Sequence, residues 1–344
     1  MIVKKTIQQL NIYKLSIPMK KNIALVMGGY SDECVISLNS GKQVYESLDR
    51  DKYNVYKIVI DNSGWYYLDE QDNHHPVDKN DFSIIADSKK ITFDTAFIII
   101  HGTPGENGML QGYFDMIGLP YTTCGFYTSA LTFNKSHCNP VVRSFGVVSV
   151  AQSETIFAGQ DIDPDALISR LGLPLFVKPS SGGSSVATTK VKTREQLLPA
   201  IQWALEKDCA VMVEQFISGR EFDCGVIRSN GQLHVFPITE LIPKGGHEFF
   251  DYEAKYNGFA DEVTPAEVEE KVSKHIQEVS AKLYDLLDCR GMVRFDFIYN
   301  TDHDELFFLE VNTIPGQSAE SIVPKQARCV GISTTKLYDM IIEN

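Results

Sequence analysis

The chain has little of what several functional classes require. Its seven cysteines, Cys34, Cys124, Cys138, Cys209, Cys224, Cys289 and Cys329, stand singly, with no CxxC pair and no zinc-finger spacing. That excludes a thiol-redox motif or a sequence-encoded zinc site, and it predicts reduced thiols in a cytoplasmic protein. No apolar run approaches the roughly 18 residues of a membrane span. Positive charge is in deficit, with 32 Lys and Arg against 45 Asp and Glu and a net charge of −13, which argues against nucleic acid or an anionic membrane as a partner. Any anionic ligand must then be held by a local cluster of bases. There is no GxxxxGK[ST] phosphate loop, no HExxH metal motif and no serine-hydrolase order, and no repeat, low-complexity tract or heptad pattern. The first 18 residues contain no continuous apolar stretch and make a poor signal peptide. They are expected to form a poorly packed extension upstream of the usual start at Met19, and a deletion starting there that failed to fold would refute this.

What is present is ordinary in bulk and informative in detail. A length of 344 residues with 43% hydrophobic and 22% charged residues fits a globular chain of roughly two or three domains. Residues 292–316, MVRFDFIYNTDHDELFFLEVNTIPG, read as two strands joined by an acidic turn. Side chains alternate along a strand, so Arg294 and Asp296 share one face, and Glu310 and Asn312 repeat the arrangement on the second strand. Two carboxylates and an amide oxygen form a hard donor set suited to Mg²⁺, which needs few protein ligands when phosphates complete its shell. The bland alternative is the solvated face of a hairpin.

The chain opens with NIALVMGGYSDECVISLNSGKQVYESL, a strand, a glycine turn and a helix, with Ser31 or Asp32 placed to cap the helix. Strand-like VYKIVID and TAFIIIHG follow, so alternating elements predict a parallel sheet with helices on both faces. Beyond the second of these comes HGTPGENGMLQG, with His101 and Glu106 in a glycine-rich loop. Ligands of open α/β sheets sit beyond the strands' carboxyl ends, where Glu33 and His101 both fall. From about Phe126 the pattern becomes α+β. Lys135 lies in an expected helix, SALTFNKSHCN, and LPLFVKPSSGGSSVATTKV places a Gly/Ser loop over residues 180–185 between two strands, with Lys178 at its base. Such a loop offers backbone N–H groups and hydroxyls to a phosphate. AVMVEQFISGREFDCGVI reads as one strand that ends in an apolar slot at Glu214, Phe216 and Ile217, with Glu221 nearby for ribose hydroxyls. Residues 243–267 lack core periodicity and read as a long loop that closes over a site and delivers Lys255 and Tyr256. A helix with Val268, Val272, Ile276, Val279 and Leu283 then leads into the hairpin.

Five blocks in this order, GGYSDECVISLNSG, HGTPGENGMLQG, VKPSSGGSSV, DYEAKY and RFD with LEVNTIPG, ending in SAESIVP, resemble a D-alanine–D-alanine ligase of the ATP-grasp superfamily from about residue 20 to the C-terminus. The resemblance implies an ATP-grasp fold behind an N-terminal Rossmann-like parallel-sheet domain. Its units would be residues 19–125 for substrate, 126–217 with the Gly/Ser loop, and 218–344 with the closing loop and metal site. It implies ATP and two Mg²⁺ ions, with Mn²⁺ able to substitute, and a cytoplasmic homodimer that makes D-alanyl-D-alanine for peptidoglycan.

Position by position, the resemblance puts Lys135, Lys178, Lys255 and Ser185 at the phosphates, and Glu214, Phe216, Ile217, Glu221 and Phe249 around the nucleotide. Asp296, Glu310 and Asn312 would hold the metal ions. Arg294 and the Gly316 backbone would stabilise oxyanion charge. Glu33 would bind the first D-alanine's ammonium in a triad with Ser184 and Tyr256, Ser321 and Ile322 would line the second subsite, and His101 is a candidate base. The chain departs from many relatives in having Ser181 and Gly182 where a charge is common, Phe216 for Trp, and Cys34 and Val35 at positions often charged. Tyr256 favours an amine as second substrate over D-lactate. The alternatives are another ATP-grasp carboxylate–amine or D-lactate ligase, and a nucleotide-binding protein without ligase activity.

Overall fold

The structure, a computed structural model, describes residues 19–31, 33–183, 186–244 and 260–343. The chain runs β1 (Lys21–Gly28), α1 (Cys34–Ser47), β2 (Tyr53–Asp61), β3 (Gly64–Leu68), β4 (His74–Pro76), a small hairpin of β5 (Ile84–Ala86) and β6 (Lys89–Ile91), β7 (Thr95–Ile98) and α2 (Met109–Ile117). The first sheet has the order β4-β3-β2-β1-β7. Its β2, β1 and β7 are parallel, as expected. The edge is not, because β3 and β4 add as antiparallel strands, so the sheet is mixed. The apolar run at residues 96–100 is wholly buried, in keeping with a strand that meets no water on either side. Helix α1 starts at Glu33 without a side-chain cap bond. Ser31 does not cap it; its hydroxyl instead donates to the His101 carbonyl at 3.3 Å. Asp32 lies outside the described residues.

The next helix is interrupted where one continuous element was expected. Helix α3 (Phe126–Phe133) stops and α4 (Lys135–Phe145) begins, because Asn134 leaves helical geometry and its side chain caps α4 by accepting from His137 N. Lys135 therefore sits in a helix's first turn. There follow β8 (Ser149–Val150), β9 (Ser153–Phe157), α5 (Pro164–Leu171), β10 (Leu175–Pro179), β11 (Thr189–Val191), α6 (Arg194–Leu205) and β12 (Ala210–Gln215). Strands β11-β10-β12-β9 form an antiparallel sheet whose core, with Leu167, Leu197 and Ile201 of α5 and α6, is its own.

The remainder is β13 (Arg220–Ser229), β14 (Gln232–Val235), β15 (Thr239–Pro243), β16 (Ala260–Val263), α7 (Glu270–Leu286), β17 (Met292–Asn300), β18 (Glu305–Asn312), α8 (Ile322–Cys329) and α9 (Thr334–Ile342). The long sheet runs β16-β15-β13-β17-β18-β8 with β14 beside β13. Two expectations are corrected here. Residues 210–227 are not one strand but two, β12 and β13, in different sheets, because residues 216–219 turn between them. The stretch expected to be loop contains β16, which pairs with β15; residues 245–259 lie outside the described residues. Gly219 permits the turn: a Cβ there would fall 2.4 Å from the Tyr299 carbonyl oxygen.

Candidate functional site

Strands β17 and β18 place Arg294 opposite Asn312 and Asp296 opposite Glu310, with a bulge after Asp296. Phe295 and Phe297 point the other way and are fully buried; each contributes roughly 1.5–3 kcal/mol of apolar burial, which fixes which face carries the polar set. Arg294 donates to both oxygens of Asp296 at 2.7 Å, and Asn312 Nδ2 donates to Asp296 Oδ2 at 2.9 Å. Burial works against the Arg294 charge, but Asp296 and Asp223 outweigh it and hold its pKa well above the usual value.

A cavity of about 710 Å³ opens over this face. Lys135, Lys178, Glu214, Phe216, Ile217, Glu221, Arg294, Asp296, Glu310 and Ile322 line it, with Glu33 at the end nearest the first sheet. Lys135 and Lys178 are each paired with a carboxylate. Lys135 Nζ lies 3.0 Å from Glu310 Oε2 and donates to the Gly182 carbonyl at 2.8 Å. Lys178 Nζ lies 2.6 Å from Glu214 Oε1. An apolar end is built from Phe176 and Phe216, 5.8 Å apart, with Lys190 Nζ 3.7 Å above the Phe216 ring. Glu33 lies between two loops: a Cβ on Gly102 or on Gly183 would come 3.3 Å from its carboxylate.

His101, Gly316 and Ser321 are not among the residues that line the cavity. His101 is buried, its Nδ1 3.0 Å from the Ile314 carbonyl and its Nε2 3.4 Å from Ser40 Oγ. The carbonyl can only accept, so Nδ1 carries the proton. Gly316 packs against Ser321, where a Cβ would meet Oγ at 2.9 Å, and Ser321 is the N-cap of α8, its hydroxyl 2.8 Å from that of Ser318. Ser184, Ser185, Phe249, Lys255 and Tyr256 lie outside the described residues.

The arrangement suits a divalent cation shared with phosphates. Among the described residues no three His, Cys, Asp or Glu form a ready-made metal cage. The donor set of Asp296, Glu310 and Asn312 is all oxygen, and buried Asp223, also on the cavity wall, has no hydrogen-bond donor to either carboxylate oxygen. An added positive charge therefore fits. Asp223 was missed in the sequence although Glu221 and Asp223 alternate with core residues Phe222 and Cys224.

Glu106 lies in the same glycine-rich loop as His101. It accepts from Gly102 N at 2.7 Å, and burial, reinforced by the Glu33 carboxylate, pushes its carboxyl up to about 8. A folded state that holds this proton more tightly than the unfolded chain is most favoured below the ordinary glutamate range and loses that advantage as pH rises through about 8. Glu106→Gln is thus expected to flatten the decline of Tm between pH 5 and 8.5. An unchanged pH dependence would show that Glu106 ionises normally.

The profile described as D-ala D-ala ligase N-terminus matches residues 22–124, and the one described as D-ala D-ala ligase C-terminus matches residues 145–343. The chain is 43% identical over 326 residues to a D-alanine–D-alanine ligase of Bacteroides fragilis, covering 95% of this chain and 99% of that one. It is similar to the VanG D-Ala:D-Ser ligase from Enterococcus faecalis, with a TM-score of 0.82, 32% identity and coverage of 94% and 99%. It is also similar to the D-alanine–D-alanine ligase of Bacillus anthracis in complex with ATP, with a TM-score of 0.74, 28% identity and coverage of 94% and 96%. Two profiles in chain order, and relatives matched nearly end to end, place this chain in the D-ala D-ala ligase family.

Proposed function

We propose that the protein joins two D-alanines at the expense of ATP, through a D-alanyl phosphate, to give D-alanyl-D-alanine for peptidoglycan. The observation that carries this reading is the single cavity that gathers Lys135, Lys178, Arg294, Asp296 and Glu310, with Glu33 at one end. A carboxylate is a poor electrophile. In the proposed reaction an oxygen of the first D-alanine's carboxylate bonds to the γ-phosphorus and ADP leaves; the second amine then bonds to the acyl carbon, phosphate leaves, and the amine gives up a proton. Phosphoryl transfer of this kind is driven by positioning and charge neutralisation.

In this reading Lys135 and Lys178 exchange their carboxylate partners for ATP phosphates. Phe216, Ile217, Glu214 and Glu221 hold the adenosine. Arg294 meets oxyanion charge together with the Gly316 backbone, and Glu33 accepts from the first ammonium. Two divalent ions, Mg²⁺ or Mn²⁺, held by Asp296, Glu310 and Asn312, would supply neutralisation of phosphate charge. Ser321 and Ile322 border the second subsite, while Ser184, Ser185, Phe249, Lys255 and Tyr256 complete the phosphate, nucleotide and ammonium contacts. His101, tied to Ile314 and Ser40, steadies the Glu33 loop, and a substrate carboxylate or phosphate oxygen takes the amine proton. Residues 19–125, 126–217 and 218–344 contribute the substrate end, the Gly/Ser loop and the metal end in turn. The place of action is the cytoplasm, where ATP is supplied.

Incubation with ATP, Mg²⁺ and D-alanine, followed by mass analysis, is expected to show D-alanyl-D-alanine with ADP and phosphate in equal amounts. Parallel incubations replace the second D-alanine with D-serine or D-lactate, or both substrates with L-alanine. Preferential formation of a mixed product would reassign the second substrate, and ATP binding without any ADP would leave a nucleotide-binding protein. We also infer a homodimer, because Met109 and Met116 of α2 and Phe126 and Tyr127 of α3 expose between 55% and 82% of their surface as an apolar patch. Sedimentation at the mass of one chain at micromolar concentration would end that inference.

A further inference from the structure

Asp223 has no part in the roles given above. It stands in the middle of β13, opposite Asp296 of β17, and is 0% exposed although it borders the cavity. Arg294 Nε lies between the two acids, 3.1 Å from Asp223 Oδ2 and 2.7 Å from Asp296 Oδ1. A buried carboxylate is costly unless a fixed cation offsets it; neither Asp223 oxygen accepts a hydrogen bond, burial and the facing Asp296 disfavour its charge, and Arg294 is the neighbouring cation that favours it.

The strand beneath is held from the far side. Gln326 of α8 donates to the Asp223 carbonyl at 2.9 Å and to Thr239 Oγ1 at 3.0 Å, and it accepts from Gly225 N at 2.9 Å. Gly225 is what lets that amide approach, because a Cβ there would fall 2.6 Å from Gln326 Oε1. Asp223 is therefore presented on a fixed backbone.

Asp296, by contrast, has two claims on it. Both of its oxygens are occupied by Arg294 and Asn312, and the proposed function also assigns it to the divalent cation. An arginine held by Asp296 alone would either keep that carboxylate from the cation or lose its anchor when the cation took it. We propose that Asp223 is a positioning residue: it anchors the Arg294 guanidinium at Nε, so that Asp296 can turn to the cation while the arginine stays aimed at the reacting carboxyl. This rests on Asp296 being a metal ligand, as proposed above.

The test is Asp223→Asn, which keeps size and removes charge. Mn²⁺ is titrated in the presence of ADP and followed by its electron paramagnetic resonance signal, without turnover. The variant is expected to bind Mn²⁺ about 10- to 100-fold more weakly and to lose kcat on the same scale, the effect typical of a group that orients a metal ligand, while KM for ATP stays near the wild-type value. In an Arg294→Met background the same change should have no further effect on Mn²⁺ affinity, because the residue acts through the arginine. Unchanged Mn²⁺ affinity and kcat in the single variant would overturn the proposal. So would losses that add in the double variant, since Asp223 would then contact the cation itself. If Asp223→Asn lacks a cooperative melt, Asp223→Ser is read by the same measurements and criteria. A wild-type protein that binds no Mn²⁺ with ADP refutes the ligand assignment of Asp296, and Asp223's role with it, whereas normal wild-type binding with an unaffected variant refutes Asp223's role alone.

Discussion

Arg294→Met is expected to lower kcat by about 10²- to 10³-fold, the scale on which enzymes lose a preorganised donor aimed at developing negative charge. The expectation follows from where the guanidinium is held. It is 14% exposed at the side chain, fixed by Asp296 and Asp223, and borders the cavity beside Lys135, Lys178 and Glu310. A side chain held this far from solvent acts at a lower effective dielectric than a surface charge, and a guanidinium already fixed needs little reorganisation when the carboxyl group reacts. Steady-state ADP release at saturating ATP and D-alanine measures the effect. KM for ATP should change little, because the proposed contact is to the reacting carboxyl. A fall of less than about tenfold would remove Arg294 from the chemistry and leave it a structural counter-ion of the acid pair.

Lys178→Ala is expected to cost about 3–5 kcal/mol of folding stability, since it strips a buried carboxylate of its partner. Lys178 and Glu214 are 7% and 5% exposed, and their charged atoms lie 2.6 Å apart across the register-paired strands β10 and β12. Urea unfolding of the ligand-free protein is the measurement. The double variant Lys178→Met/Glu214→Leu should regain most of the loss, because it removes both charges and fills the space. A single-variant loss below about 1 kcal/mol, the range of solvent-shared pairs, would show that cavity water already screens Glu214.

The hairpin of β17 and β18 was readable because strand periodicity is unambiguous when one face is aromatic. Phe295 and Phe297 had to face a core, so Arg294 and Asp296 had to face away. Lys178 beneath the Gly/Ser loop was readable on similar grounds, with apolar Leu175 and Val177 before it. Asp223 was not, because residues 210–227 are uniformly strand-like, and nothing local announces that the chain changes sheets at residues 216–219. The close approach of Gly219 to Tyr299, which only a residue without a Cβ allows, is a contact distant in sequence. The break at Asn134 is another case in which a single capping residue outweighed a helical pattern. The edge strands β3 and β4 escaped notice because their aromatic residues are half-buried and show no alternation. The ordered motif blocks made the ligand classes readable where periodicity alone left a solvated hairpin face open.

Lys135, Lys178 and Arg294 are each already matched by a carboxylate, and the protein around the cleft carries −13. In the proposed reaction a triphosphate would approach a protein of like charge and meet these cations by exchanging with their carboxylate partners. Raising ionic strength should quicken its capture, the reverse of the behaviour of a basic groove that steers anions inward. Under the proposed function, recognition of the triphosphate would rest on ion-pair exchange at short range.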